Sequence, residues 1–122
     1  RILVVGGQIM AASLRLPAPD SWLCNVAQGG TSVSATATPE EEAIIAQINP
    51  KLQQSGILIY GADTLVDDDG KRVLSEINTL SIGGFPQAEQ QTGRPVIQPT
   101  IDKIFKYADA HYAEWPANDP GF

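Results

Sequence analysis

The sequence predicts an α+β domain, a mainly antiparallel sheet with helices packed on it, and three observations carry that prediction. Two apolar, β-rich stretches broken by glycine-containing turns, "RILVVGGQIMAASLRL" and "GILIYGADTLVDDDGKRVLSEINTL", read as hairpins. Between them lies a capped segment with helical periodicity, "TPEEEAIIAQINPKLQQSG". A second helical pattern closes the chain in "GRPVIQPTIDKIFKYADAHYA". At 122 residues and 43% hydrophobic content, one domain with a modest core is the expectation.

The first hairpin turns at Gly6-Gly7, and its leading run "ILVV" begins directly after Arg1. A chain that opens without methionine and enters a strand at once suggests a piece of something longer. "PAPDSWLCNVAQGGTSVSATA" follows, rich in Pro, Gly, Ser and Thr, and reads as a long loop with a short strand near Thr31 to Ala37. Loops of that length inside compact domains are often functional. In the helix, Thr38 is the N-cap, Pro39 takes the first helical position, Glu41 completes a capping box and Gly56 lies beyond the end. Ile44, Ile45, Ile48 and Leu52 form its apolar stripe, and Pro50 is expected to kink or locally open it. The closing helix carries Ile101, Ile104, Phe105 and Ala108 at helical spacing, before an irregular tail, "EWPANDPGF".

The net charge of −6 is spread along the chain, without the clustered Lys and Arg of a nucleic-acid interface. No apolar run approaches the roughly 20 residues of a membrane span, and no signal-peptide pattern is present. The single cysteine, Cys24, fits a reducing compartment and makes the cytoplasm the default. With no base near it in sequence, Cys24 reads as a small hydrophobe, and His111 reads as a partner for a helix dipole.

"LSEINTL" raises a chemical question, because Glu76 and Asn78, two residues apart on a strand, point to one face. A two-residue turn centred on Asp69-Gly70 pairs Asp68 with Lys71, and so sets Asp63 opposite Glu76. The same register puts Gly61 opposite Asn78, leaving room beside the amide, and Leu65 opposite Leu74 as an apolar floor. Opposed side chains have Cβ atoms about 4.5–5.5 Å apart, so two carboxylates there repel unless something intervenes. Either the face is solvated, or a divalent cation sits on it, held by carboxylate and amide oxygens.

The ordered set "RILVVGGQIMAASLRLPAPDSWLCNVAQGG", "TPEEEAII" and "LSEIN" resembles the closing half of bacterial glutathione synthetases, within the ATP-grasp ligases. On that resemblance residues 1–109 are the C-terminal part of an ATP-grasp domain and 110–122 a tail. It implies ATP as co-substrate, Mg²⁺ or Mn²⁺ as cofactor, and Asp63, Glu76 and Asn78 as metal ligands. Arg15 matches an arginine on the nucleotide phosphates, with a catalytic part in stabilising them. Asn25, Gly29 and Gly30 match a glycine-rich loop that closes over the reacting phosphate, and Leu74 falls at a nucleotide contact. Ser81 and Gly83 fall where a small-residue loop holds the substrate carboxylate. The loop from Asn25 to Ser32 is expected to be poorly ordered without nucleotide.

Leu23 and Cys24 depart from the family's arginine and glycine, and "SIGGFPQ" replaces its usual loop. Amino-acid or peptide substrates are implied, with no nucleic acid or membrane partner, and a homo-oligomeric full-length protein stays open. Ligases that join D-amino acids share an Asn-Thr-Leu followed by Gly-Phe and remain an alternative. A non-catalytic module that binds metal or nucleotide is another.

Overall fold

The computed structural model describes residues 1–20 and 30–112. Five strands form one sheet: β1 (Ile2–Val5), β2 (Gln8–Leu16), β3 (Thr31–Ala35), β4 (Ile59–Val66) and β5 (Arg72–Asn78). Their spatial order is β3-β2-β1-β4-β5, and every neighbouring pair is antiparallel. Three helices accompany them: α1 (Pro39–Gln54), α2 (Phe85–Thr92) and α3 (Ile97–His111). The α+β class predicted from the two hairpins and the capped helix is the class observed. None of the described helices is long and apolar enough to cross a membrane.

β1 is the central strand, and all four of its residues are buried. That is why it reads as an unbroken apolar run rather than an alternating one. Ile2 and Val4 join Ile45, Tyr60 and Ala62 in the core beneath α1, with Ile48, Leu52 and Ile77 packed against them. Leu3 faces the other way, toward Gly84 at the start of α2. The Tyr60 hydroxyl donates to Asn49 Oδ1 at 3.2 Å, and burial pushes its pKa up to about 12.

The capping box of α1 is formed as expected. Thr38 N donates to Glu41 Oε2 at 2.8 Å, and Glu41 N donates to Thr38 Oγ1 at 3.3 Å. The helix runs through Pro50 as one element. Both Pro50 and Ala46, whose carbonyl loses its partner there, are exposed, so water can take the lost bond.

The C-terminal end holds two features that the sequence does not announce. Residues 85–92, which begin with the last three residues of "SIGGFPQ", form α2, an eight-residue helix whose single buried residue, Ala88, leaves no periodic signal. In α3 the helical spacing of Ile101, Ile104 and Phe105 holds, but all three are exposed, and the buried residue is Thr100. Instead of a local cap, α3 uses Glu89 of α2, whose Oε2 accepts from Val96 N and Ile97 N, each at 2.8 Å. Those two bonds lower the Glu89 pKa. At the far end of α3, His111 stacks on Tyr107 with ring centroids 4.0 Å apart.

Candidate metal and phosphate site

The β4–β5 hairpin places Asp63 directly opposite Glu76 and Gly61 opposite Asn78, as the sequence predicts. The route to that register differs from the predicted one. Asp67 N bonds to Lys71 O and Gly70 N to Asp67 O, so the turn carries three residues, 68 to 70, rather than two. Leu65 therefore pairs with Val73, and Thr64 with Leu74. Ser75 is then an extra residue on β5, a bulge that moves the pairing by one and restores Asp63 to Glu76. The apolar floor of Leu65 opposite Leu74 does not exist. Leu74 is absent from the cleft described next.

Pairing also builds a polar row across the sheet. Ser34 pairs with Ser13, Ser13 N donates to Arg1 O at 2.9 Å, and Asp63 follows one step beyond the Ile2 to Ala62 pair. Ser34, Ser13, Arg1, Asp63 and Glu76 thus lie side by side on one face. β2 and β4 run on past the end of β1, leaving a cleft of about 750 Å³ lined by Arg1, Ser13, Arg15, Asp63 and Glu76. A second cavity of about 170 Å³ adjoins it, lined by Arg15, Ser32, Gly83 and residues of α2. Arg15 borders both.

Arg1 is the residue that sequence reasoning missed. Its Nε donates to Asp63 Oδ1 at 2.9 Å and its Nη2 to Asp63 Oδ2 at 2.6 Å, with the two side chains only 13% and 23% exposed. Burial by itself would raise the Asp63 pKa, but the Arg1 hydrogen bonds and charge outweigh it and the net shift is downward. Arg15 adds to the same effect. The room expected beside Asn78 at Gly61 is filled, since a Cβ there would meet Ile82 at 3.2 Å and the Arg1 side chain at 3.5 Å. The Asn78 Nδ2 contact to Asp63 Oδ2 is long, at 3.4 Å, and leaves its carbonyl oxygen for another partner.

Glu41 is a second residue whose part was only half read. Besides capping α1, its Oε1 accepts the Thr64 hydroxyl at 2.6 Å and lies 3.7 Å from Arg72 Nε, joining helix to sheet at the cleft wall.

Of the remaining predicted positions, Ser81 is exposed and adopts φ 52, an unusual value for a residue with a side chain. Gly30 is buried, and Thr31 and Ser32 of the expected lid belong to β3. Asn25, Gly29, Leu23, Cys24 and the "EWPANDPGF" tail lie outside the described residues.

Among the described residues no three His, Cys, Asp or Glu side chains gather in a metal-holding group. A cation held here would draw on at most two carboxylates and an amide oxygen from the protein and would need further oxygens from elsewhere. That donor set suits Mg²⁺, which ordinarily takes one or two carboxylates together with phosphate oxygens and water.

A five-stranded antiparallel sheet accompanied by three helices is consistent with part of an ATP-grasp domain. The family model described as prokaryotic glutathione synthetase, ATP-grasp domain, matches residues 1–93, and the chain belongs to that family. Similar proteins include the glutathione synthetases of Rhodopseudomonas palustris, 36% identical over 83% of this chain and 30% of that protein, and of Bradyrhizobium diazoefficiens, 32% identical over 85% and 32%. The Neisseria meningitidis glutathione synthetase is 31% identical over 94% of this chain and 32% of its own length. The chain therefore spans about a third of the curated relatives it matches.

Proposed function

We propose that the full-length protein is a cytoplasmic ATP-dependent carboxylate-amine ligase of the glutathione synthetase type, joining γ-glutamylcysteine to glycine. Residues 1–109 supply the closing part of its ATP-grasp domain. The observation that supports this most is the direct opposition of Asp63 and Glu76 with Asn78 on the same face, in a chain of this family. Directly opposed carboxylates on neighbouring strands repel unless a cation intervenes.

In this reading Asp63, Glu76 and Asn78 bind Mg²⁺ or Mn²⁺ through oxygen. The ion neutralises charge on the ATP phosphates during transfer to the substrate carboxylate. Arg15, at the junction of the cleft and the smaller cavity, holds phosphate oxygens with a planar two-point donor. Gly83 lines that smaller cavity, which suits the substrate carboxylate, with Ser81 two residues away. Asn25, Gly29 and Gly30 exclude water from the acylphosphate, which would otherwise hydrolyse.

The test is Glu76→Gln in the full-length protein, which keeps size and removes one anionic ligand and one repulsion. Phosphate release from ATP with γ-glutamylcysteine and glycine should fall by about 10² or more. Thermal unfolding without nucleotide should be unchanged or shifted upward. Turnover equal to wild type at limiting Mg²⁺ would refute the metal assignment. Phosphate release with two D-alanines and none with the glutathione precursors would move the protein to the D-amino-acid ligases.

A further inference from the structure

We propose that Arg1 is the resident cation of the metal and phosphate site, and that it makes metal binding depend on a polyphosphate nucleotide. The inference rests on the reading of Asp63 and Glu76 as metal ligands and adds a positioning residue to it. Two opposed carboxylates require a counter-charge, and Arg1 supplies one through a two-point grip on Asp63. The grip is built into the fold. Arg1 enters beside Asp63 because β1 and β4 pair in register, and its side chain runs across Gly61, where no Cβ stands in the way.

Counting charges gives the functional consequence. Asp63 and Glu76 contribute two negative charges to the cleft and Arg1 and Arg15 two positive ones, while Glu41 and Arg72, also in its lining, offset each other as an ion pair. A bare divalent ion meets a face that is neutral overall, and an Asp63 whose two oxygens already accept from a guanidinium. To take Asp63 alone, it must strand a 13%-exposed Arg1 side chain without its partner, which is costly. A nucleotide triphosphate changes both conditions. Its charge attracts the metal, and two oxygens of one phosphate offer Arg1 a two-point anionic acceptor in place of the carboxylate it gives up. Metal and nucleotide then bind as a unit, and Arg1 passes from carboxylate to phosphate.

The experiment measures Mn²⁺ binding to the full-length protein by the electron paramagnetic resonance signal of free Mn²⁺, with and without a non-hydrolysable ATP analogue. Without nucleotide, Arg1→Gln should bind Mn²⁺ at least about ten-fold more tightly than wild type, because a unit charge beside the ligand has gone. With the analogue that advantage should vanish or reverse. Affinity of Arg1→Gln without nucleotide equal to or below wild type overturns the proposal. Should Arg1→Gln fail to fold, Arg1→Lys keeps the charge but releases one Asp63 oxygen. It should then bind Mn²⁺ about three-fold more tightly without nucleotide, and no gain overturns the proposal. Glu76→Gln with the analogue separates the two claims. If it leaves Mn²⁺ affinity unchanged, the metal reading has failed, and this inference with it. If it weakens Mn²⁺ binding while Arg1→Gln gains nothing, only the role given to Arg1 has failed.

Discussion

Glu41 shows how much one carboxylate can do when each oxygen has its own partner. Oε2 closes the helix cap, and Oε1 ties the helix to β4 and β5. The residue is only 7% exposed. Burial would raise its pKa, yet the bonds from Thr38 and Thr64 and the charge of Arg72 bring the net shift below its ordinary 4.5. The unfolded chain therefore binds its proton more readily than the folded one. Glu41 contributes stability that is fully present above about pH 4.5 and is lost as pH falls through the lowered folded value. Glu41→Gln should cost about 1–3 kcal/mol at pH 7 and flatten the acid limb of the stability curve, as read by urea unfolding from neutral pH downward. An acid limb as steep as wild type would show that the proton uptake lies elsewhere. The capping half of this role was legible, since Thr38 and Glu41 lie three residues apart. The tie to Thr64 was not, because it spans 23 positions. Arg1 was hidden for the same reason, its partner lying 62 residues away.

At the scale of the element, the β4–β5 hairpin yields the predicted pairing by way of two compensating irregularities. Alternating apolar residues and an Asp-Gly turn announce a hairpin, but they do not count the residues in its loop. Asp67 decides that here, since Oδ1 accepts from both Asp69 N and Lys71 N and holds the longer turn. The bulge at Ser75 then takes up the extra residue. Neither feature has a local signal in a single sequence, whereas the α1 cap does, which is why that helix was located to the residue. α2 was missed because a helix of two turns with one buried side chain has no stripe to read. The turn makes a specific demand at Gly70, whose φ is 78. Gly70→Ala should lower stability by about 1–2 kcal/mol, although nothing stands within 4 Å of the added methyl. Gly83→Ala also meets nothing within 4 Å and has no positive φ, so it should stay within about 0.5 kcal/mol of wild type. Thermal unfolding of the two variants side by side separates backbone strain from crowding. Equal losses would refute the assignment of strain to Gly70.

Across the whole molecule, burial is concentrated on one strand. β1 contributes Ile2, Leu3, Val4 and Val5 to the nine buried hydrophobic residues among those described. Meanwhile Leu65, Leu80, Phe105 and Tyr112 stand more than half exposed. Hydrophobicity in this sequence is thus a poor guide to burial. The run "ILVV" and the stripe of α3 look equally apolar in the sequence, yet one is enclosed on both faces and the other is open. The difference lies in topology. β1 sits between β2 and β4 with α1 on one side and the start of α2 on the other, while α3 is joined to the rest chiefly through Glu89 and the buried Val96 and Thr100. Stability should follow enclosure and not side-chain type. In this chain Ile2→Ala, at a site 1% exposed with the core on every side, should cost about 2–5 kcal/mol. Phe105→Ala, which removes a larger side chain that is 65% exposed, should stay within about 0.5 kcal/mol. Urea unfolding of the 122-residue chain measures both. A Phe105→Ala loss comparable to that of Ile2→Ala would show that α3 is enclosed in solution, and that the core extends beyond the β1-centred cluster.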